Sequence, residues 1–251
     1  MPHISLAAET LWRVGGFPIS NALLATWLVM AFIAIVSFVS TRKLTLVPGH
    51  AQSLAELLVG GLYDFFEGVI GKHVKEVFPL IASLFFFIII ANWVGLLPGL
   101  GTIGFFKQEH EVLKFVPLLR GATADLNTTL ALALVSVVAI QYYGFRTLGF
   151  HYGGRFINIK NPIYFFVGIL EILSDISKVI SFAFRLFGNI FAGEVLLTVM
   201  AFLMPFIVPL PFLMLELFVG FIQALVFSML TAVFLNVAVS HDGGEQSHES
   251  S

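Results

Sequence analysis

The sequence contains no cysteine, which excludes disulfide bonds and thiolate chemistry. It is also poor in charge, because only 11% of its 251 residues are Asp, Glu, Lys or Arg, whereas soluble domains carry about 25%. The formal net charge of -2 is too close to zero to favour nucleic-acid binding. These absences turn attention from soluble enzymes and nucleic-acid binders to membrane proteins.

Several functional motifs are missing as well. No GxxxxGK[ST] phosphate loop is present, so we expect no direct nucleotide binding and no ATP chemistry in this chain itself. No internal repeat suggests an inverted-repeat transporter. The N-terminal stretch lacks a basic n-region followed by a short apolar core, so we expect it to be mature protein and not a removed signal.

Histidine is absent from the apolar runs. The histidines all fall outside the predicted membrane spans, at His3, His50, His73, His110, His151, His241 and His248. An intramembrane haem protein would need axial ligands within its spans, and a membrane serine protease would need a base there. The intramembrane-enzyme class is therefore disfavoured, and we expect no cofactor and no metal site.

What the sequence has in abundance is apolar residues, at 58% of the chain. Runs of about 20 such residues match a bilayer core of about 30 Å. They predict one integral, all-α polytopic membrane domain with about five transmembrane crossings. The predicted segments are an external N-terminus (1–20), a first span (21–40), an amphipathic interfacial helix (51–75), two spans (79–97 and 127–143), two long helices (162–204 and 206–239) and a disordered cytoplasmic tail (240–251).

Two kinds of segment depart from an ordinary perpendicular span. Residues 51–75 place apolar side chains at helical spacing with acids close beside them, which favours a helix lying in the membrane surface; the alternative is a short soluble connector helix. The last two apolar runs exceed the length that a perpendicular crossing needs, so we expect both helices to be strongly tilted.

Loop cations set the expected orientation. Arg42 and Lys43 follow the first span directly, and the connector 144–161 contains basic residues but no acid. By the positive-inside rule, the N-terminus lies outside and, after five crossings, the C-terminus lies in the cytoplasm.

The most informative residue is Arg185, which lies inside an apolar run. A charge at membrane depth costs at least about 2.5–3.5 kcal/mol on insertion scales, so it is rarely kept without a use. With about 100° per residue, a polar stripe forms around it, with Asp175 at its edge about 80° away. The stripe consists of Glu171, Ser174, Lys178, Ser181 and Asn189. Small residues on the same side, Gly188 and Ala192, indicate a face that meets another helix.

Glu194 does not explain Arg185, because it points about 180° away and lies about 13 Å further along the axis. Internal partners remain possible in Glu216 or Asp175, which would make Arg185 part of a structural ion pair. Glu216 and Gln223 are seven residues apart and share a face of the last helix. The functional interpretation pairs Glu194 with Glu216 along an aqueous path. The alternative is that these polar groups form hydrogen bonds that hold the helices together.

With these residues identified, the chain resembles subunit a of the F-type ATP synthases over most of its length. The resemblance rests on segments 79–98, 123–134, 185–194 and 220–230. The segment 185–194, RLFGNIFAGE, is the most specific of them. The resemblance implies a stator subunit with two offset half-channels that couple ion flow to ring rotation and ATP synthesis, alongside a c-ring, peripheral-stalk b subunits and membrane lipid.

The resemblance also implies residue roles. Arg185 corresponds to the family's essential arginine, with Asn189 and Gln223 as polar residues beside it. Glu194 and Glu216 fall at half-channel positions, and some relatives have histidine where this chain has Glu216. The roles of the remaining family positions are less defined. These are Asn92, Asp125 and Asn127 near the outer face.

We expect protons to enter past Glu194 and Glu216, to travel on ring carboxylates and to leave by an inner path. Glu171, Asp175 and Lys178 are the candidates for lining that inner path. A sodium ion is the alternative coupling ion, since the choice rests mainly on the ring. The expected location is a bacterial plasma membrane. A secondary transporter or channel that uses Arg185 to hold an anionic substrate is the alternative function.

Overall fold

Long apolar runs can exist in hydrocarbon only if every backbone N–H and C=O is paired, which favours helices. The computed structural model describes residues 8–42, 45, 49–97, 99, 103–109, 112–153, 162–204 and 207–240. Its helices are α1 (Asn21–Thr41), α2 (His50–Ile70), α3 (Val74–Gly95), α4 (Leu126–Leu148), α5 (Phe150–Gly153), α6 (Pro162–Leu203) and α7 (Pro209–Ser240). In these ranges, 5 helical segments are long and apolar enough to cross a membrane. The predicted polytopic membrane fold is confirmed, and it is mostly helical.

Two small antiparallel hairpins lie in regions that the sequence predicted to be loop or terminus. Strands β1 (Thr10–Val14) and β2 (Phe17–Ser20) form the first, and β3 (Gly104–Glu109) and β4 (Val112–Pro117) form the second. The first turns through Gly15 and Gly16 at φ 58° and 90°, the left-handed conformations that tight hairpin turns require. Asn21 Nδ2 donates to the carbonyl of Pro117 at 3.4 Å and so ties the start of α1 to the second hairpin.

The boundary between α2 and α3 differs from the prediction. The helix predicted over 51–75 ends at Ile70, where Gly71 takes φ 66° and a short 3-10 turn follows over Gly71–His73. Helix α3 then begins at Val74 and contains Pro79, which the sequence had placed at the start of the span. Burial of Val74 and Val77 explains the earlier start, because these side chains are in the main core.

Other helix ends also differ from the prediction. Helix α4 continues to Leu148 beyond the predicted end at residue 143, and α7 begins at Pro209 instead of residue 206. Helix α6 covers 42 residues, close to the predicted range. The predicted tail beyond Ser240 and the connector residues 154–161 lie outside the described residues.

The core lies where α3 packs along α7 and α4 packs along α6. Side chains four residues apart on each helix share the buried face, as helical geometry requires. Its most enclosed members include Ile81, Ile88, Ala133, Leu186, Ala224 and Leu235. Helices α4, α6 and α7 all contact one another, and this three-helix arrangement positions the polar groups described below.

Much of the remaining helical surface is apolar and exposed. Large side chains such as Phe38 on α1 and Phe166 on α6 are mostly exposed in the described chain. A water-soluble protein rarely exposes so much apolar area, whereas lipid or partner helices accommodate it. The position of α2 relative to the membrane surface stays a prediction, although its Leu54, Leu57 and Leu58 are likewise exposed.

Candidate functional site

Arg185 lies on an open face of α6. Its Nη2 donates to the hydroxyl oxygen of Ser181, one turn earlier, at 3.2 Å, and its side chain is exposed. None of the ion pairs in the described part of the chain includes it. The internal partners considered from the sequence are engaged elsewhere: Asp175 binds Lys178, and Glu216 is buried against Gly193.

Small residues extend this open face. Gly188 is exposed, and a Cβ added to it would meet nothing within 4 Å. Ala192, one turn further, is also exposed, as is Phe184 beside the arginine. A helix of another protein can therefore approach the α6 backbone closely at the level of Arg185.

Asn189 and Gln223 join α6 to α7 one turn beyond Arg185. Asn189 Nδ2 donates to Gln223 Oε1 at 2.7 Å. Gln223 is only 4% exposed, and its Nε2 has no hydrogen-bond partner among the described residues. The predicted placement of both amides near the arginine thus corresponds to an inter-helix contact that leaves one buried donor unused.

Glu216 is enclosed where α7 crosses α6. It is 6% exposed, and an ideal Cβ on Gly193 would overlap its carboxyl group. Gly193 is therefore the residue that makes room for this carboxylate, since any side chain there would occupy the same space. The sequence alone does not reveal this role of Gly193.

Glu194 contacts the segment that follows the second hairpin. Its Oε2 lies 3.4 Å from Nη2 of Arg120, whose side chain is 8% exposed against 40% for Glu194. The sequence predicted that Glu194 and Glu216 form a pair, but the structure gives each acid its own neighbour. Because Gly193 and Glu194 are adjacent, both acids still lie near the same level of α6.

A second group of polar contacts fastens α3 to α7. Asn92 donates to the carbonyl of Gly220 at 3.0 Å and accepts from the hydroxyl of Thr123 at 2.7 Å. Trp93 Nε1 donates to the carbonyl of Leu217 at 3.1 Å, which strengthens the same junction. Asn92 is buried, so these contacts give it a bracing role directly behind the helix that carries Glu216 and Gln223.

Asp125 and Asn127 form a local arrangement at the start of α4. Asn127 Nδ2 and the Thr128 hydroxyl each donate to a carboxylate oxygen of Asp125 at 3.5 Å. Asp125 is the residue before the helix and is buried. A carboxylate at a helix N-terminus is favourable for the helix dipole, so this geometry is that of a helix start.

The stripe predicted around Arg185 divides into an exposed part and an inward part. Lys178 Nζ lies 2.7 Å from Asp175 Oδ1 and 4.9 Å from the ring centre of Phe234 on α7. Asp175 Oδ2 accepts from Gln141 Nε2 on α4 at 2.6 Å. The expectation that Lys178 shares the open face with Arg185 is wrong, because its partners lie on the packed side. Glu171, one turn before Asp175, is half-buried.

Four residues near these groups were not recognised from the sequence: Arg120, Thr123, Gln141 and Gly193. Gln141 carried a usable signal, because an amide inside an apolar span usually has a polar partner on another helix. Arg120 lies in a predicted loop, and nothing in the sequence alone shows that this loop reaches Glu194 on α6.

Known proteins resemble this chain over most of its length. The family model described as ATP synthase A chain matches residues 23–236. ATP synthase subunit a 3 of Pelobacter propionicus is 34% identical over 219 residues, covering 86% of each chain. A subunit a of Propionigenium modestum described as sodium ion specific is 35% identical over 240 residues, covering 95% of this chain and 81% of the relative. ATP synthase subunit a of Geotalea uraniireducens is 35% identical over 219 residues, 86% of each chain.

Proposed function

The chain belongs to the ATP synthase A chain family, and on that premise we propose that Arg185 is the residue that meets the ion-carrying carboxylates of a c-ring. Members of this family are the stator subunit a, through which ions pass in the membrane part of the ATP synthase. The chain thus functions as part of a larger complex. Membership of this family decides against the alternative of a secondary transporter.

One observation carries the proposal: an intramembrane arginine is exposed on an open helix face and has no carboxylate partner in the described chain. Such a charge is costly in lipid, so a counter-ion from another protein is expected. A c-ring carboxylate fits this need, because it can approach over Gly188 and Ala192 and leave again.

The chemistry follows from the fixed charge. The guanidinium group stays protonated in proteins, so it attracts an arriving ring carboxylate and favours its ionised form. The proton released there leaves by the inner path, and the emptied carboxylate passes Arg185 before it is reprotonated from the outer path. Because the arginine repels a free proton, it also separates the two paths and prevents a leak.

We assign Glu216 and Glu194 to the outer path, with Asn189 and Gln223 between it and the arginine. The burial of Glu216 and the unused donor of Gln223 support this assignment, since a polar group without a protein partner is suited to bind water. The inner path runs along Glu171, with the Asp175–Lys178 pair at its side. Asn92, Asp125 and Asn127 support the outer path by holding the helices in place.

The remaining assignments follow the same scheme. The chain has its N-terminus outside and its C-terminus in the cytoplasm of a bacterial cell, and it contacts the c-ring, peripheral-stalk b subunits and lipid. Nucleotide binding belongs to other subunits. Protons are the proposed coupling ion, although one relative is described as sodium ion specific. ATP synthesis driven by a pH difference in sodium-free vesicles tests this, and a strict requirement for sodium would contradict it.

The central test is Arg185→Ala in the assembled complex in vesicles. We expect proton-driven ATP synthesis to be lost and passive proton permeability to rise. Arg185→Lys is the matched control, because lysine keeps the charge but can lose its proton when buried and lacks the planar fork; we expect it to retain little synthesis but less leak than alanine. Normal synthesis by the alanine variant would rule out the proposed role.

A further inference from the structure

Helix α6 carries two cations that would compete if both faced a ring. Lys178 and Arg185 are seven residues apart, which places them within about 20° of one another around the helix and about 10 Å apart along its axis. A ring carboxylate that approached this face would then be attracted to two positive charges. The ring carboxylate releases its proton at a defined position only if a single cation lies at the boundary between the two paths.

The structure removes Lys178 from this competition. Its ammonium group contacts Asp175 Oδ1 at 2.7 Å and the face of the Phe234 ring at 4.9 Å. Both charged side chains are largely enclosed, with 19% of Lys178 and 15% of Asp175 exposed. The lysine charge is thus neutralised and directed toward α7, whereas Arg185 is exposed on the other side of the stripe.

Asp175 is itself held in place by a third helix. Its second carboxylate oxygen accepts from Gln141 Nε2 on α4 at 2.6 Å. The cluster of Gln141, Asp175, Lys178 and Phe234 therefore connects α4, α6 and α7. A surface pair three residues apart would contribute little, but one that is enclosed by two neighbouring helices has a fixed geometry.

We propose that Asp175 is a positioning residue that neutralises Lys178 and holds it against α7, so that Arg185 is the one cation that α6 presents to the ring. This inference rests on the proposed role of Arg185. In this arrangement the cluster borders the inner path as a neutral, polar wall, and its members do not need to exchange protons during transport.

The test compares three variants of the assembled complex in vesicles: Asp175→Asn, Lys178→Gln and the double variant. Asp175→Asn keeps a hydrogen-bonding side chain but releases the lysine charge, so we expect proton-driven ATP synthesis to fall on the order of tenfold. Lys178→Gln leaves Arg185 as the one cation on α6 but removes the counter-ion of the enclosed Asp175, so we expect a loss of synthesis that is smaller than the loss in Asp175→Asn. The double variant restores charge balance and should recover most of the activity that Asp175→Asn loses.

Gln141→Leu is the matched control for packing. It removes the hydrogen bond from α4 but leaves both charges paired, so we expect a smaller loss of synthesis than in Asp175→Asn. Copurification of the c-ring and unchanged passive proton permeability would show that each variant is assembled and sealed. A merely structural role of the cluster would make the double variant as poor as, or worse than, Asp175→Asn.

Two outcomes would overturn the inference. One is full activity of Asp175→Asn, and the other is a double variant that is no more active than Asp175→Asn, as expected if the two groups were an obligatory proton relay. These failures can be distinguished from failure of the proposed function. If Arg185→Ala kept normal synthesis, the underlying function would be wrong, whereas a silent Asp175→Asn with an inactive Arg185→Ala would contradict only the role of Asp175.

Discussion

Charged side chains on the two sides of α6 differ in whether they have a counter-ion. On the packed sides, charges are matched within the chain, Lys178 by Asp175 and Glu194 by Arg120. On the open side, Arg185 has the hydroxyl group of Ser181 as its only hydrogen-bond partner among the residues that the structure describes. Because the same helix contains both situations, the difference does not come from a general tolerance of unpaired charge in this protein.

The comparison of Lys178 with Arg185 teaches that a charge in a span does not by itself mark a functional residue. What distinguishes Arg185 is that it lacks a counter-ion among the described residues. Breaking the enclosed pair of Asp175 and Lys178 leaves an uncompensated charge, which is strongly unfavourable in such a site. Arg185 is different, because its proposed partner is another protein and must be able to leave. An internal counter-ion for Arg185 would stabilise the chain and stop rotation of the ring.

The strongest way to break this contrast is to give Arg185 an internal partner. Ser181→Asp places a carboxylate one turn away, where the serine hydroxyl already lies 3.2 Å from the guanidinium group. We expect proton-driven ATP synthesis in vesicles to fall by on the order of a hundredfold, because the new carboxylate competes with the ring for the arginine.

Ser181→Asn is the control for this experiment, since asparagine has nearly the same shape as aspartate and is also polar but carries no charge. It should retain most of the activity. Equal losses in the aspartate and asparagine variants would mean that space on the open face, and not the pairing of Arg185, determines transport.

A change of intermediate effect concerns the enclosed carboxylate. Gly193→Ala inserts a methyl group where the carboxyl group of Glu216 lies, so the acid or the helix must shift. We expect synthesis to fall on the order of tenfold and the complex to lose about 1–3 kcal/mol of stability, as is typical of overpacking. ATP synthesis and the temperature at which the complex dissociates measure the two effects.

Gly61→Ala on α2 is the matched control, because a Cβ at that helical position meets nothing within 4 Å. It should leave synthesis unchanged and should not destabilise the complex. If both alanine variants behaved alike, the close fit between Gly193 and Glu216 would have no functional consequence.

Most of the fold was predictable because hydrophobic run length alone determines which segments can cross a bilayer. Helix α1 begins at Asn21, the first residue of the predicted first span, and the side chain of Ser20 caps it. The two hairpins were not predictable in the same way, since strands of four to six residues among charged side chains leave no clear alternation. The start of α3 was missed because Pro79 resembled a helix start but lies inside the helix.

The site was predictable where one helix decides the geometry. The angle between Arg185 and Glu194 follows from α6 alone, and the two residues do have different surroundings. The direction of Lys178 was not predictable, because about 20° of rotation does not decide between the open side and α7. That choice depends on Gln141 and Phe234, which belong to other helices.

The smallest expected effect concerns the ion pair of Glu194 and Arg120. Glu194 is a proposed residue of the outer path, although its charge, unlike that of Arg185, is matched within the chain. Glu194→Gln should slow synthesis severalfold without a proton leak, because it changes one path and leaves Arg185 in place.

Arg120→Gln should slow ATP synthesis less, because Glu194 stays but is no longer oriented by its partner at 3.4 Å. Since Glu194 is about 40% exposed, the pair itself contributes only about 1 kcal/mol. If Arg120 acts through Glu194, adding Arg120→Gln to Glu194→Gln should have no further effect on the rate of synthesis in vesicles. Additive losses would instead indicate that the buried arginine supports the fold of the outer segment independently of the acid.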